Sequence, residues 1–329
     1  MQAIQLVSLV LSSSDALIEW INVLKLFLWL HLNLKGGSGA GNSNRIMTTE
    51  RTLLTVEELS CSFYKRKDGA FHQEFILEPI FFELSNSEII GLVGESGSGK
   101  TTVGRLITGA LKSMSSNQRQ ILTKGNVVFF PDHDYTDPGI RKSLRYPVQM
   151  IYQDPKMALN EFMQVRPQVI EGAKVGYERI KTDLSRDDWI TREVDELLDV
   201  MMLREIEEQH PIIMSGGQIR RLGVARILAS QPTIIIADEP TASLDASTKN
   251  MVLNYLQQYA ERRIAKGRPV ATIIISHDLE TISRYCHSVL VMKKGKLVEI
   301  LTGDGKGIFS PKESYTIKLW EDNAFFAKA

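Results

Sequence analysis

A chain of 329 residues with 43% apolar side chains can bury one large core or two small ones, and it is too apolar for global disorder. Lys plus Arg and Asp plus Glu number 39 each, so net charge gives no footing for counterion-release binding to nucleic acid, although a local basic patch stays open. The two cysteines, Cys61 and Cys286, stand at no zinc-ligand spacing and read as reduced thiols, which suits a cytosolic compartment.

The first fifty or so residues differ from the rest. Ile18 to Leu34 is apolar and rich in Leu, Phe and Trp, and Gly36-Gly37-Ser38-Gly39-Ala40-Gly41 follows as a flexible linker. A secretory signal is disfavoured, because no basic n-region precedes the apolar run and no clean cleavage site follows it. A spanning helix would be marginal, at roughly 17 to 20 residues. Glu19, Asn22 and Lys25 recur at three-residue spacing near one helix face, which fits an interfacial helix better. The segment also reads as a non-native extension, with the natural start at Met47.

From Leu53 the pattern changes to short strands: Leu53 to Val56, a polar turn at Lys65 to Gly69, then Phe75 to Leu77 and Ile80 to Phe82. These predict an antiparallel β subdomain. Ile89 to Val93 reads as a buried strand that runs through a Gly-rich turn into a helix from Thr101 to Leu111. Trp189 to Met202 carries apolar residues at helical spacing behind a polar run, Asp183 to Asp188, that can cap it. Ile234 to Ala237 and Ala271 to Ile275 are apolar on both faces, as strands of a parallel sheet covered by helices are.

Gly94-Glu95-Ser96-Gly97-Ser98-Gly99-Lys100-Thr101 fits the phosphate-binding loop G-x-x-x-x-G-K-[ST] and sits between a predicted strand and a predicted helix, with Thr102 next in line for the nucleotide. The glycines let successive backbone N–H groups turn toward phosphates, and the helix N-terminus adds partial positive charge. Lys100 then neutralises β- and γ-phosphate oxygens, while the Thr101 hydroxyl coordinates Mg²⁺. Asp238-Glu239 closes the second apolar strand, where a parallel sheet presents its ligand edge. There Asp238 would hold Mg²⁺ through its water shell and Glu239 would polarise the attacking water. His277 ends the next strand on the same edge and reads as a γ-phosphate contact.

These motifs specify a nucleotide hydrolase, and Met214-Ser215-Gly216-Gly217-Gln218 narrows the class: it resembles the signature of ATP-binding cassette (ABC) proteins. In that family the signature residues, here Ser215, Gly216, Gly217 and Gln218, reach the ATP bound by a partner subunit, so two cassettes close around two nucleotides. The resemblance spans roughly Leu53 to Leu319. It implies that Gln153 is the Q-loop glutamine, a Mg²⁺ and water contact that senses a membrane subunit. It further implies that Ser243-Leu244-Asp245 is the D-loop at the dimer interface, and that Phe63, or in second place Tyr64, stacks on adenine. By bare pattern Phe63 could also be a core-facing strand residue. Gln153-Asp154-Pro155 with Leu159-Asn160, and Phe309-Ser310-Pro311 with Tyr315-Thr316, look like the oligopeptide, dipeptide and nickel importer ATPases. Met214, Ile219 and Ser314 depart from the usual residues of those relatives.

The expected fold is α/β: a P-loop NTPase core of RecA-like type with a mainly parallel sheet, an N-terminal antiparallel β subdomain and a helical subdomain inserted at about 153–218. The nucleotide-binding domain would run over 51–301, after the 1–50 extension and before a 302–329 tail. The resemblance implies an ATPase that uses ATP and Mg²⁺ to energise import, peripheral at the cytoplasmic face of the cell membrane. Its partners would be transmembrane permease subunits, a second ABC ATPase, identical or homologous, and an extracytoplasmic solute-binding protein; no nucleic acid is expected. The alternatives are a soluble ABC ATPase acting on nucleic acid or ribosomes, the ATPase subunit of an exporter, and an idle interaction module. Two separated cysteines rule out an intrachain four-cysteine iron–sulfur centre.

Overall fold

Thr52–Lys67 (β1) and Ala70–Ser85 (β2) form a long antiparallel hairpin. Its turn, Asp68-Gly69, has φ of 51° and 83°, the left-handed pair that matches strand twist in a two-residue loop. The computed structural model describes residues 52–111, 115–116, 119–129, 133–134, 147–180, 182–242, 244–303 and 309–323. The apolar N-terminal segment, its linker and Ser243 lie outside the described residues.

Phe75 to Leu77 and Ile80 to Phe82, expected as two strands, are one, and the polar stretch expected to turn from Lys65 instead stays paired through Lys67. Pro79 interrupts the hairpin without ending it, because β2 is an edge strand and the register shifts there. Arg119–Phe129 (β4) pairs with the other side of β1, and His133–Asp134 (β5) extends the sheet. The antiparallel β subdomain therefore has the strand order β2-β1-β4-β5.

The second sheet orders Lys296–Thr302 (β10), Ser288–Lys293 (β9), Ile89–Val93 (β3), Ala271–Ile275 (β8), Ile234–Asp238 (β7) and Val148–Ile151 (β6). All neighbours are parallel except β10 against β9. Every residue of β3, β7 and β8 is buried, which is why these runs carry no polar alternation. Lys100–Ile107 (α1) follows β3; it is shorter than the helix expected to reach Leu111, and Gly109 behind it is left-handed at φ 71°.

The inserted region contains Val165–Tyr177 (α2) and Arg186–Val200 (α3), and leads into Gly216–Ala229 (α4). Ser185 caps α3 by accepting from the Asp188 N–H, within the polar run expected to do so. Val194, Leu197 and Leu198 on α3 and Leu222, Ala225 and Leu228 on α4 are fully buried in one cluster with β6 and β7 residues. At two glycines α2 meets α4 backbone to backbone: a Cβ on Gly172 would lie 2.3 Å from the Arg226 carbonyl oxygen, and one on Gly176 would lie 2.2 Å from that of Ala229.

Ala246–Ala265 (α5), Leu279–Tyr285 (α6) and Ser314–Asp322 (α7) complete the described α-helices. The C-terminal tail expected after Leu301 is anchored, since Phe309 and Trp320 are buried in the cluster that holds Ile89, Val93, Val289 and Val291. Gly176→Ala should destabilise the protein by about 1–3 kcal/mol, because the added methyl must separate two backbones rather than displace a flexible side chain. Urea unfolding reads the loss; wild-type stability in that variant would contradict the close approach.

Candidate functional site

The phosphate loop leaves β3 at Gly94, whose φ is 143°. A Cβ there would meet the Met292 carbonyl oxygen of β9 at 2.1 Å, so only glycine lets the chain turn at this point. The loop closes at Gly99, φ 106°, which caps α1. Lys100 Nζ donates to the carbonyls of Gly94 at 2.7 Å and Glu95 at 2.9 Å, lying back along its own loop. The Ser98 carbonyl accepts from the Gly295 N–H at 2.9 Å, which ties the loop to the β9–β10 turn.

The carboxylates arrive from β7, two strands away. Asp238 is 2% exposed and accepts from the Thr101 hydroxyl at 3.2 Å, linking the strand end to the first turn of α1. Burial, reinforced by neighbouring Glu239, pushes the Asp238 carboxyl above its ordinary range, while the Thr101 hydrogen bond, Arg105 and Lys100 oppose the shift. Burial also lowers the Lys100 ammonium, against the pull of Glu239 and Asp238. Each charge is expensive here without the other, and a ligand that brings both phosphate and cation suits the pair.

Glu239 takes a left-handed backbone, φ 48°, as the chain leaves the sheet, and its N–H donates to the Ile275 carbonyl at 2.9 Å. Its carboxylate accepts from the His277 backbone N–H at 3.1 Å and lies 2.7 Å from the His277 Nδ1. The two side chains differ in exposure: 76% for His277 and 12% for Glu239. The acid is held in place and the imidazole stands at the mouth.

A cleft of about 480 Å³ opens over these groups. Ser96, Gly97, Gly99, Lys100, Thr101 and Thr102 line its floor, and Gln153, Asp238, Glu239 and His277 one wall. Phe63 also lines it, edge-on to Phe75 at 5.9 Å between ring centroids. Tyr64, its neighbour on β1, is not among the lining residues, so the strand's alternation selects Phe63. Phe75 was not read from the sequence as a site residue; the signal available was its position directly opposite Phe63 in the hairpin.

The signature lies elsewhere. Ser215 caps α4 by accepting from the Gln218 N–H at 3.3 Å, and the Gln218 side chain returns the bond by accepting from the Ser215 N–H at 2.8 Å. Nothing lies within 4 Å of where a Gly216 Cβ would stand, and Leu244 is the nearest neighbour of Gly217 at 3.4 Å by the same measure. Asp245 caps α5 by accepting from the Thr248 N–H and hydroxyl, which hold its carboxyl below the usual range. None of Ser215, Gly216, Gly217, Gln218, Leu244 or Asp245 lines the cleft.

Arg220, one turn into α4, was also missed. Its guanidinium donates to the Gln153 carbonyl at 2.8 Å and to the Glu239 carbonyl, so one side chain joins the signature helix to both cleft-wall segments. Its sequence signal was a charged residue between Ile219 and Leu222, and it is 8% exposed.

The family profile described as ABC transporter matches residues 77–242. The chain is 33% identical over 275 residues to the oligopeptide transport ATP-binding protein OppF of Lactococcus lactis subsp. lactis, an alignment covering 81% of this chain and 79% of that one. It is 36% identical over 263 residues to OppF of Streptococcus mutans, covering 78% of each. With the glutathione import ATP-binding protein GsiA of Escherichia coli K12 it shares 34% identity, over 82% of this chain and 40% of that one. Among solved structures, the dimeric post-hydrolysis state of the ATP-binding cassette MJ0796 bound to ADP and Pi matches with a TM-score of 0.59 and 19% identity, over 76% of this chain and 98% of that one, a likeness of fold. CbiO1 from Clostridium perfringens matches with a TM-score of 0.57 and 25% identity, over 84% and 93% of the two chains. The phosphate loop facing an acidic strand end across one cleft, together with these matches, places the chain in the ABC transporter family as an ATP-hydrolysing, nucleotide-binding subunit.

Proposed function

We propose that this ATPase energises import of peptides or a related small solute, with Glu239 as the base that activates water. The observation that carries the chemistry is the Thr101 hydroxyl bonded to Asp238 at 3.2 Å beside Lys100, with Glu239 fixed at the adjoining position. The peptide class rests on the names of the relatives, oligopeptide transport and glutathione import.

In this reading adenine stacks on Phe63, and backbone N–H groups of the loop between Ser96 and Thr102 cradle the phosphates, with Lys100 turning from its carbonyls to the β- and γ-phosphate oxygens. The hard oxygen donors of Thr101, Asp238 and Gln153 suit Mg²⁺, which when bound neutralises charge on the phosphates. Glu239 draws a proton from the attacking water as the γ-phosphoryl group departs, and His277, whose Nδ1 faces the Glu239 carboxylate, donates from Nε2 to that group when its ring carries both protons. The glutamate's low exposure and its hold by the His277 N–H restrict it to one orientation.

Because the signature residues lie away from the cleft of their own chain, they are proposed to complete the site of a second cassette, identical or homologous, with Ser243, Leu244 and Asp245 at the joint. The domain would be 51–301 with the helical subdomain at 153–218. Gln153 and that subdomain would meet transmembrane permease subunits, served by an extracytoplasmic solute-binding protein. Among the described residues no helix is long and apolar enough to cross a membrane, and peripheral attachment to the cytoplasmic face fits this reading.

Glu239→Gln should lower ATP turnover by about 10²–10⁴-fold while ATP binding is retained. Turnover at the wild-type rate would remove Glu239 from the mechanism. Phe63→Ala should weaken ATP binding by about 1–3 kcal/mol, with Tyr64→Ala near wild type; the reverse pattern would move the adenine contact to Tyr64. Affinity purification of tagged Glu239→Gln protein from detergent-solubilised membranes with Mg-ATP should recover multi-span permease subunits. Recovery of ribosomal or DNA-associated proteins alone would overturn the transport assignment.

A further inference from the structure

Tyr315, the second residue of α7, touches the phosphate loop from outside the cleft. Its hydroxyl accepts from the Glu95 N–H at 3.3 Å and donates to the Met292 carbonyl at 3.5 Å. Lys293 Nζ lies 4.4 Å from the ring centroid, a cation over the aromatic face. The helix that carries Tyr315 is itself fixed. Thr316 and Trp320 are buried, and the Lys312 and Glu313 N–H groups donate to the Glu299 carboxylate of β10 at 2.8 and 3.2 Å. Burial raises the Tyr315 phenol above its ordinary range, with the Glu95 N–H acting against it, so the hydroxyl keeps the proton that it donates to Met292.

The Glu95 N–H and the Gly94 carbonyl belong to one planar trans peptide, so they point in opposite directions. The N–H is held by Tyr315, and the carbonyl accepts from Lys100 Nζ at 2.7 Å. Fixing one end of that peptide fixes the other. The Met292 carbonyl that receives the Tyr315 hydroxyl is also the group against which Gly94 makes its close approach.

We propose that Tyr315 is a positioning residue for ATP binding: its hydroxyl clamps the Gly94–Glu95 peptide to β9, so that the C-terminal helix sets the shape of the phosphate loop and its affinity for nucleotide. The role is indirect, because Tyr315 does not line the cleft.

The test uses the full chain and calorimetric titration with Mg-ATP. Tyr315→Phe keeps the ring and its contact with Lys293 and removes only the hydroxyl. It should weaken ATP binding about three- to tenfold, the span expected for loss of its one hydrogen bond to the phosphate loop, with the thermal midpoint little changed. Hydrogen–deuterium exchange should also quicken in peptides that contain the Glu95 amide. Unchanged affinity overturns the proposal, and so does a lowered midpoint with unchanged affinity, which would mark Tyr315 as a packing residue alone. Should Tyr315→Phe not fold, exchange at the Glu95 amide of the wild-type chain decides: protection there supports the clamp, and exchange at the rate of an open loop amide overturns it.

Discussion

Leu92 on β3 pairs with Ile275 on β8, and Ile275 pairs with Asp238 on β7. This single row across three parallel strands fixes the site, because β7 and β8 end on it, β3 ends one residue past it, and each hands its next residues to the same edge. From β3 come Val93 and the phosphate loop, from β7 Glu239, and from β8 Ser276 and His277. A slip of one residue in either pairing would turn alternate side chains to the opposite face and carry Asp238 away from Thr101. The uninterrupted apolar character of these strands is therefore a condition of catalysis as well as of stability. It drives the sheet into the interior, where the register is locked by packing on both faces.

The same burial creates the electrical character of the cleft. Asp238 and Lys100 are both drawn toward their neutral forms by desolvation, and each is kept ionisable by the other and by nearby groups. Lys100 is bonded to two carbonyls of its own loop, which occupy two of its three N–H donors before any ligand arrives. Exchange of those carbonyls for phosphate oxygens replaces neutral acceptors with charged ones, so the loop gains most when a polyphosphate enters.

Much of this was legible from local pattern. Ile89 to Val93, Ile234 to Ala237 and Ala271 to Ile275 announced themselves as buried strands, and the loop and acidic pair at their ends followed from motif and position. Val148–Ile151 was missed because four residues that include Gln149 do not rise above a loop, and its strand character depends on pairing with β7, over eighty residues on. The two pieces of β2 looked separate because Pro79 is a local breaker whose edge position cannot be read locally. Helix α5 went unread although it is the longest described, since its apolar residues sit on a face that is irregular in sequence. Arg220 and the hydroxyl of Tyr315 share one reason. Each acts through a partner on another element of the fold, and a single sequence without that fold carries no sign of which residue the partner is.

The contact of α2 with α4 has a mechanical consequence. At Gly172 and Gly176 the two helices meet backbone to backbone, with no layer of rotatable side chains to absorb a displacement. Helices separated by leucines can slide or roll by changing rotamers; at these two points that freedom is missing. The contact therefore couples α2 more stiffly to α4, whose head carries Ser215, than side-chain packing alone would. Arg220, one turn along α4 and bonded to the carbonyls of Gln153 and Glu239, extends that stiffness to the residues around the cleft.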